Sequence, residues 1–532
     1  MLTITLRFID NHIKYKEKNV SQTANRVIKN TGYLYAKMAI TMFVSLYTTR
    51  LILNSLGASD FGIYNIVGGV ISMLGFLNAA MASSTQRFMN YAEGEGDNEK
   101  KVGIFNVSVV LHVFVAAIVV VMLLLAGFLF FNGILNIPEE RMFAAKVVYG
   151  SLIISTMVTI LTVPYDAVLN SHENMKYYSI VGVLESLLKL AVAFACVYTS
   201  QDKLIVYGLL MAAIPFVSLF IMAFYCHKNY SECSLALRKN WDRKMAKDMT
   251  GFAGWGFLGS TSSLLCMQGV SILLNMFGGV IANAAHGIAN QLAGQLMVFS
   301  NNMLKALNPV LVKSRGAGET EKMIEAASTG NKLSFIIYTF FAIPFIIECP
   351  YILSIWLKNV PEYAVLFVRL VLIRQMISQL MVTLETCISA TGRIRNYTIA
   401  SSCIWLFPIC IAYLLYKIGT PIETIYWLLI VLVCVRILNA LCFCKKLCGM
   451  HVSDYVRCTL LPCLFIGLLL FLMLVCLTAV ADMSFGRLVL SATATLVFYP
   501  VLAYYCGLNA KERGLVGSAI KRIRQRGRSK KR

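Results

Sequence analysis

Apolar runs of about 20 residues, each long enough to cross a bilayer as a helix, recur fourteen times along this chain of 532 residues. Their cores lie near 31–53, 62–84, 104–131, 142–167, 177–199, 204–226, 251–276, 281–305, 333–356, 364–388, 397–417, 422–443, 458–480 and 486–506. Short joints separate some of them, the tightest at 55–61 and 277–280. The pattern also repeats. ILNSLGA from Ile52 returns as LLNMFGG ending at Gly279, and AEGEGDNEK ending at Lys100 returns as SRGAGETEK ending at Lys322. NIPE (Asn136 to Glu139) returns as NVPE (Asn359 to Glu362), and HENMKYYSI ending at Ile180 returns as TGRIRNYTI ending at Ile399. A period near 220 residues held over four separated segments is a duplication.

Each copy holds six spans, so the second enters the membrane in the same sense as the first, as a parallel repeat about an axis normal to the bilayer. The expected organisation is a first lobe over 31–226, a basic linker over 227–250 and a second lobe over 251–443. Two further helices fall within 444–506, without a partner in the repeat. A basic arm over 1–30 and a basic tail over 507–532 complete the chain. The predicted fold class is an all-α polytopic membrane protein of two six-helix lobes related by a pseudo-two-fold, plus two extra C-terminal helices.

Span eight breaks the apolar rule. At 100° per residue, Asn283, His286, Asn290, Gly294, Asn301 and Lys305 share one face, with Gln291, Gln295 and Asn302 on its flank. Its repeat mate, span two, carries Asn65, Gly68, Gly69, Ser72, Ser83, Gln86, Arg87 and Asn90 in the same way. Such a stripe faces neighbouring helices as hydrogen-bonding glue or a water-filled cavity. Two long, repeat-related stripes favour the cavity. His286, taken alone, reads as a hydrogen-bonded packing residue before it reads as a proton switch.

Composition agrees with the pattern: 58% of residues are hydrophobic, 14% are charged and the mean hydropathy is +0.70, more apolar material than a soluble core hides. With both termini inside, 35 of the 48 Lys and Arg fall in cytoplasmic segments against five in outer loops, the distribution that orients membrane proteins. The net charge of +22 is therefore chiefly topology rather than nucleic-acid binding, and the tail KRIRQRGRSKKR suits anionic headgroups. The sixteen Cys show no metal-ligand spacing and read as packing residues. Neither a metal nor a cofactor is expected. The first twenty residues lack the apolar core and cleavage site of a signal peptide.

Charges inside spans each cost several kcal/mol, on the order of 3, unless paired or hydrated. Lys146 and Arg369 are repeat equivalents, as are Asp166 and Glu385. Arg374, Ser378 and Glu385 would share a face of span ten, Glu185 and Lys189 would neutralise each other at i, i+4, and Lys37 and Arg50 are placed to snorkel. Asp166 and Glu385 read as a gate, paired with a cation such as Arg393, or as carriers of a coupling ion.

LYTTRLILNSLGASDFGIYNIVGGV (Leu46 to Val70), MASSTQRFMNYAEGEGD (Met81 to Asp97), VPYDAVLNSHENMKYYS (Val163 to Ser179) and LSIWLKNVPEY (Leu353 to Tyr363) resemble the polysaccharide-transporter branch of the multidrug/oligosaccharidyl-lipid/polysaccharide flippases. Within it they are most similar to O-antigen or capsule repeat-unit flippases, called Wzx. The resemblance covers roughly residues 25 to 450. It implies a V-shaped, MATE-like transporter in the bacterial inner membrane, with spans one, two, seven and eight lining a cleft. The implied substrate is an oligosaccharide on a polyprenyl pyrophosphate, moved from the cytoplasmic to the outer leaflet, with other polysaccharide-assembly membrane proteins as partners.

A pyrophosphate crossing hydrocarbon needs cations, and sugar hydroxyls need amides. The candidate cavity residues are Arg50, Arg87, Lys146, Asn283, His286, Asn290, Gln291, Asn301, Asn302, Lys305, Arg369 and Arg374. Asp166 and Glu385 are the candidate gate or proton- or sodium-coupling pair. Two other transporters compete: a multidrug antiporter, which would want acidic pockets for organic cations, and a peptidoglycan-precursor flippase. A sugar polymerase or ligase would need outer loops longer than the roughly ten residues available, and GEGDNEK and GAGETEK lack the Lys-Ser/Thr of a phosphate cradle. The chain therefore reads as a transporter and not an enzyme.

Overall fold

The computed structural model describes residues 2–73, 75–134, 137–236, 240–357, 359–479, 482–514 and 517. The basic run 521–532, Arg238 of the linker and Lys358 lie outside the described residues. Among those described, every regular element is helical. In order these are α1 (Leu2–Met73), α2 (Gly75–Glu95), α3 (Asn98–Leu129), α4 (Glu139–Ser171), α5 (Met175–Tyr198), α6 (Lys203–Asn229), α7 (Arg243–Gly316) and α8 (Thr320–Ile347). There follow α9 (Cys349–Trp356), α10 (Ala364–Ser378), α11 (Val382–Ala390), α12 (Arg395–Lys417), α13 (Thr424–Cys448), α14 (Val452–Tyr455), α15 (Leu461–Thr478) and α16 (Phe485–Leu502). From Leu2 on, the N-terminal arm is helical and continuous with the first span.

Among the described residues, eleven helices are long and apolar enough to cross a membrane, or twelve if the bent pair α10 and α11 is one span. Two expected spans lie within α7, joined at Gly279 (φ 69), and the second span is shared by the end of α1 and α2, beyond Gly57 (φ 77). Only glycine holds φ near +70° without a Cβ clash. Both hinges fall at the same point of the repeat. The chain direction changes there with no loop, which is why these joints are so short.

By internal packing the chain divides into two compact units. The first comprises Gly32–Thr261 and Val312–Gly318; the second comprises Met1–Thr31, Ser262–Leu311 and Glu319–Arg532. In the first, Met89 of α2, Phe105 of α3, Val168 of α4 and Cys226 of α6 make a fully buried core. In the second, Ala282, Ala285, Ala289 and Ala293 form a small-residue edge on α7, packed with Tyr338, Phe367 and Tyr426. Small residues at that spacing let large aromatic neighbours approach a helix backbone closely.

The last two long helices are bound into the second unit along α8. Glu348, at the end of α8, accepts from Arg487 at 2.9 Å and from Ser491 at 2.9 Å. Midway along it, Lys332 pairs with Glu512 at 2.8 and 3.0 Å and Asn331 donates to the Tyr455 hydroxyl at 2.8 Å. The sequence leaves these helices as an appendage because the repeat has nothing to match them; their partners are side chains of α8.

Candidate functional site

Beyond the Gly279 hinge, α7 carries Asn283, His286 and Asn290 at successive helical turns, on the side that meets α10 and α13. The Ser271 hydroxyl donates to Asn283 Oδ1 at 2.7 Å, tying the two arms of α7 together across the hinge. Asn290 Nδ2 lies 2.9 Å from His286 Nε2, and His286 Nδ1 lies 2.7 Å from the Tyr426 hydroxyl. With Nε2 accepting from the amide, the neutral ring holds its proton on Nδ1 and donates to Tyr426. His286 is buried in this hydrogen-bonded row.

Arg374 of α10 faces this row, across a gap closed by Cys266, Val270, Val371 and Leu429. The space among them is about 10 Å³, room for a single water. Among the described residues Arg374 makes no hydrogen bond or ion pair, although Tyr338, Tyr426 and Cys266 lie within its field. Every other interior cation of the second unit named here has an acceptor. Arg436 meets Glu385 at 2.7 Å, Arg487 meets Glu348, and Lys332 meets Glu512. Arg369 donates Nε to the Ile346 carbonyl at 2.9 Å, in the last turn of α8, where a cation complements the helix dipole.

Glu385 sits beside this site with a partner the sequence does not indicate. Arg393 lies in the α11–α12 turn, where its backbone N–H bonds Thr391, and the cation that meets Glu385 is Arg436 of α13. Tyr397 donates to the same carboxylate oxygen at 2.9 Å. The Arg436 guanidinium lies over the Trp405 ring at 4.3 Å, and its Nε is buried without a partner. Nor do Arg374, Ser378 and Glu385 share one helical face. The helix breaks after Ser378 and resumes at Val382 with a 41° bend, so Glu385 belongs to a different segment. Tyr426 and Arg436 are the functional candidates that residue type and spacing alone leave unnamed.

The first unit carries the counterpart of this arrangement. Asp166 acts electrostatically on Tyr178, twelve residues on as Tyr397 is from Glu385, and Lys37 stands 4.2 Å over the Tyr178 ring. The cation comes from the first span in one copy and the twelfth in the other. Lys37 therefore packs inward rather than reaching for a headgroup. Glu185 accepts the Ser218 hydroxyl at 2.6 Å in place of Lys189, which is exposed.

The remaining candidates are dispersed. Arg50 and Lys146 are exposed on α1 and α4. Arg87 lies among three rings, Phe88, Tyr91 and Phe252, at 4.6, 5.1 and 5.4 Å. Along α7, Gln291 and Asn301 are exposed while Asn302 and Lys305 are half-buried. The single stripe drawn on a helical wheel is therefore two surfaces: an inner row from Asn283 to Asn290 and an outward polar edge from Gln291 to Asn301.

The fold is that of MATE transporters of the MOP superfamily. It matches the structure of MATE in the bent conformation with a TM-score of 0.69 at 15% identity, over 80% of this chain and 98% of that one. A MOP superfamily transporter from Pyrococcus furiosus, described as having a binding pocket of reverse polarity that suggests a different function, matches with a TM-score of 0.65 at 16% identity, over 81% and 96%. Residues 27–315 match the model of the family described as polysaccharide biosynthesis protein, and the chain belongs to that family. It is 22% identical over 308 residues to the uncharacterized membrane protein EpsK of Bacillus subtilis (strain 168). That match spans 56% of this chain and 58% of EpsK.

Proposed function

We propose that this chain is a flippase that moves a polyprenyl-pyrophosphate-linked oligosaccharide from the cytoplasmic to the outer leaflet of the bacterial inner membrane by alternating access, for cell-surface polysaccharide such as O-antigen or capsule. The observation that carries the reading is Arg374. A guanidinium inside a membrane protein is costly unless an anion, a carbonyl or water compensates it, and a bound anion compensates it best. In the second unit Arg436, Arg487 and Lys332 have carboxylates, and Arg374 has none among the described residues. A phosphoryl group is the anion its planar fork suits best. Asn290 and the outward amides of α7 meet sugar hydroxyls. The fold is shared with drug exporters, but an uncompensated cation repels an organic cation and draws an anionic lipid.

The test is transport in vesicles of a fluorescent oligosaccharide diphosphate lipid by the purified protein. Arg374→Ala is expected to lower the rate at least about tenfold, the factor that corresponds to 1.4 kcal/mol, and Arg374→Lys to recover only part. Unchanged lipid transport together with efflux of an organic cation would move the chain to the drug-exporter reading. The orientation is tested separately: a reporter fused after Arg532 is expected on the cytoplasmic side, and periplasmic activity would overturn it.

A further inference from the structure

We propose that Glu385 is a resident counter-ion that makes the second unit select a diphosphate head over a monophosphate. The proposal rests on the lipid-diphosphate reading of Arg374 and concerns a second guanidinium, that of Arg436. The two arginines stand on facing helices, α10 and α13, and Arg436 lies close enough for its charge to act on Arg374. Their charges meet again at Cys266 on α7. Two like charges held in one apolar unit repel. Each is costly there unless an anion or water offsets it.

The two are not equally provided for. Arg436 gives one Nη2 proton to Glu385 Oε1 at 2.7 Å, and the Tyr397 hydroxyl donates to the same oxygen at 2.9 Å. The face of Trp405 holds the guanidinium plane at 4.3 Å. Yet its Nε is buried and unpartnered, a donor left without an acceptor at a cost a folded protein does not ordinarily accept. Arg374 lacks an acceptor altogether among the described residues. Missing from the second unit, then, are acceptors for one whole guanidinium and for one N–H of another.

A lipid monophosphate supplies one phosphoryl group. That satisfies Arg374, while Arg436 stays balanced by Glu385 and gains little. A diphosphate brings a second phosphoryl group whose oxygens can reach the Arg436 Nε and compete with Glu385 for the guanidinium. Glu385 therefore sets the threshold: it lowers the attraction of Arg436 for any anion, so that only the more highly charged head engages both arginines. When the head leaves, the carboxylate takes the guanidinium back, so Arg436 is never left uncompensated in the membrane. The gap, sized for a single water, must widen as the head enters.

The experiment is a binding titration of the full-length protein in nanodiscs with geranylgeranyl monophosphate and geranylgeranyl diphosphate, read by intrinsic fluorescence and checked by thermal unfolding. The wild type is expected to prefer the diphosphate by at least about tenfold, or 1.4 kcal/mol. Glu385→Gln keeps the size of the side chain and an acceptor for Tyr397 but removes the charge. It is expected to strengthen monophosphate binding and bring the two affinities to within about threefold. Arg436→Gln is expected to weaken the diphosphate alone, and Arg374→Ala to weaken both. If Glu385→Gln folds and leaves the preference intact, Glu385 is not the selector, whatever Arg374 does. If Arg374→Ala leaves both affinities unchanged, the seat itself is misplaced and the flippase site fails with it.

Discussion

At the residue scale, a second polar cluster shows how ionised groups hold a turn. Glu232 lies in the short turn after α6, only 3% exposed, and bonds His172 Nε2. His172 stacks on Tyr230 at 4.2 Å and turns Nδ1 toward Glu93, 3.6 Å away, which in turn meets Lys101 at 2.7 Å. Burial is the largest single influence and works to raise the Glu232 carboxyl, but the His172 bond, a backbone N–H and the charges of His172 and Lys101 together outweigh it and hold the group below the usual range. A carboxylate depressed in the folded state adds stability above its ordinary range and loses that stability as pH falls through the depressed value. The unfolding temperature in detergent is therefore expected to drop as pH is taken below the ordinary glutamate range, and Glu232→Gln to flatten that drop. A profile of unaltered slope in the variant would mean that other carboxylates set the acid limit.

At the element scale, the C-terminal hairpin acts as a brace on α8. Arg487 and Ser491 hold Glu348, which is fully buried, and Glu512 holds Lys332, which is 1% exposed. Removing one member of a buried pair leaves the other charge uncompensated, a loss of about 3–5 kcal/mol, whereas replacing both members costs far less. Arg487→Ala and Glu512→Ala should each lower the yield of folded protein, and Glu348→Gln combined with Arg487→Ala should recover much of it. A double variant as unstable as the single one would show that helix packing, not charge, fixes the hairpin. The sequence displays Arg487, Glu348, Lys332 and Glu512 but cannot pair them, because partners about 140 and 180 residues apart leave no periodic trace. The repeat and the apolar runs are legible because each is a regularity along the chain. The Asn283–Asn290 row is legible for the same reason, while Tyr426 and Arg436 enter the site from α13 with no spacing to mark them. The break between Ser378 and Val382 is equally silent: Gln379, Leu380 and Met381 contain neither Gly nor Pro.

At the scale of the whole molecule, the segment Val312–Gly318 packs in the first unit although the repeat places it in the second half of the sequence. It crosses the end of α2 on two repeat-related glycines. A Cβ on Gly94 would stand 2.2 Å from the Lys313 carbonyl oxygen, and one on Gly316 would stand 2.2 Å from that of Tyr91. Lys313 closes the crossing by pairing with Glu173 at 2.8 Å. Glu173 adopts φ 53, the single non-glycine residue in the left-handed region among those described, a conformation that costs energy and is kept where its surroundings demand it. The same crossing is what an alternating-access cycle would have to make and break, since it joins chain from the two halves of the repeat at one end of the helices. A side chain at either glycine would hold the backbones apart with no polar group lost. Gly316→Ala is thus expected to slow transport, and Gly316→Leu to abolish it, at an unchanged level of membrane-inserted protein. The exchange Glu173→Lys with Lys313→Glu is expected to restore part of the transport that either change alone removes. Full transport by Gly316→Leu would show that the crossing never needs to close during the cycle, and the contact would then be one of packing alone.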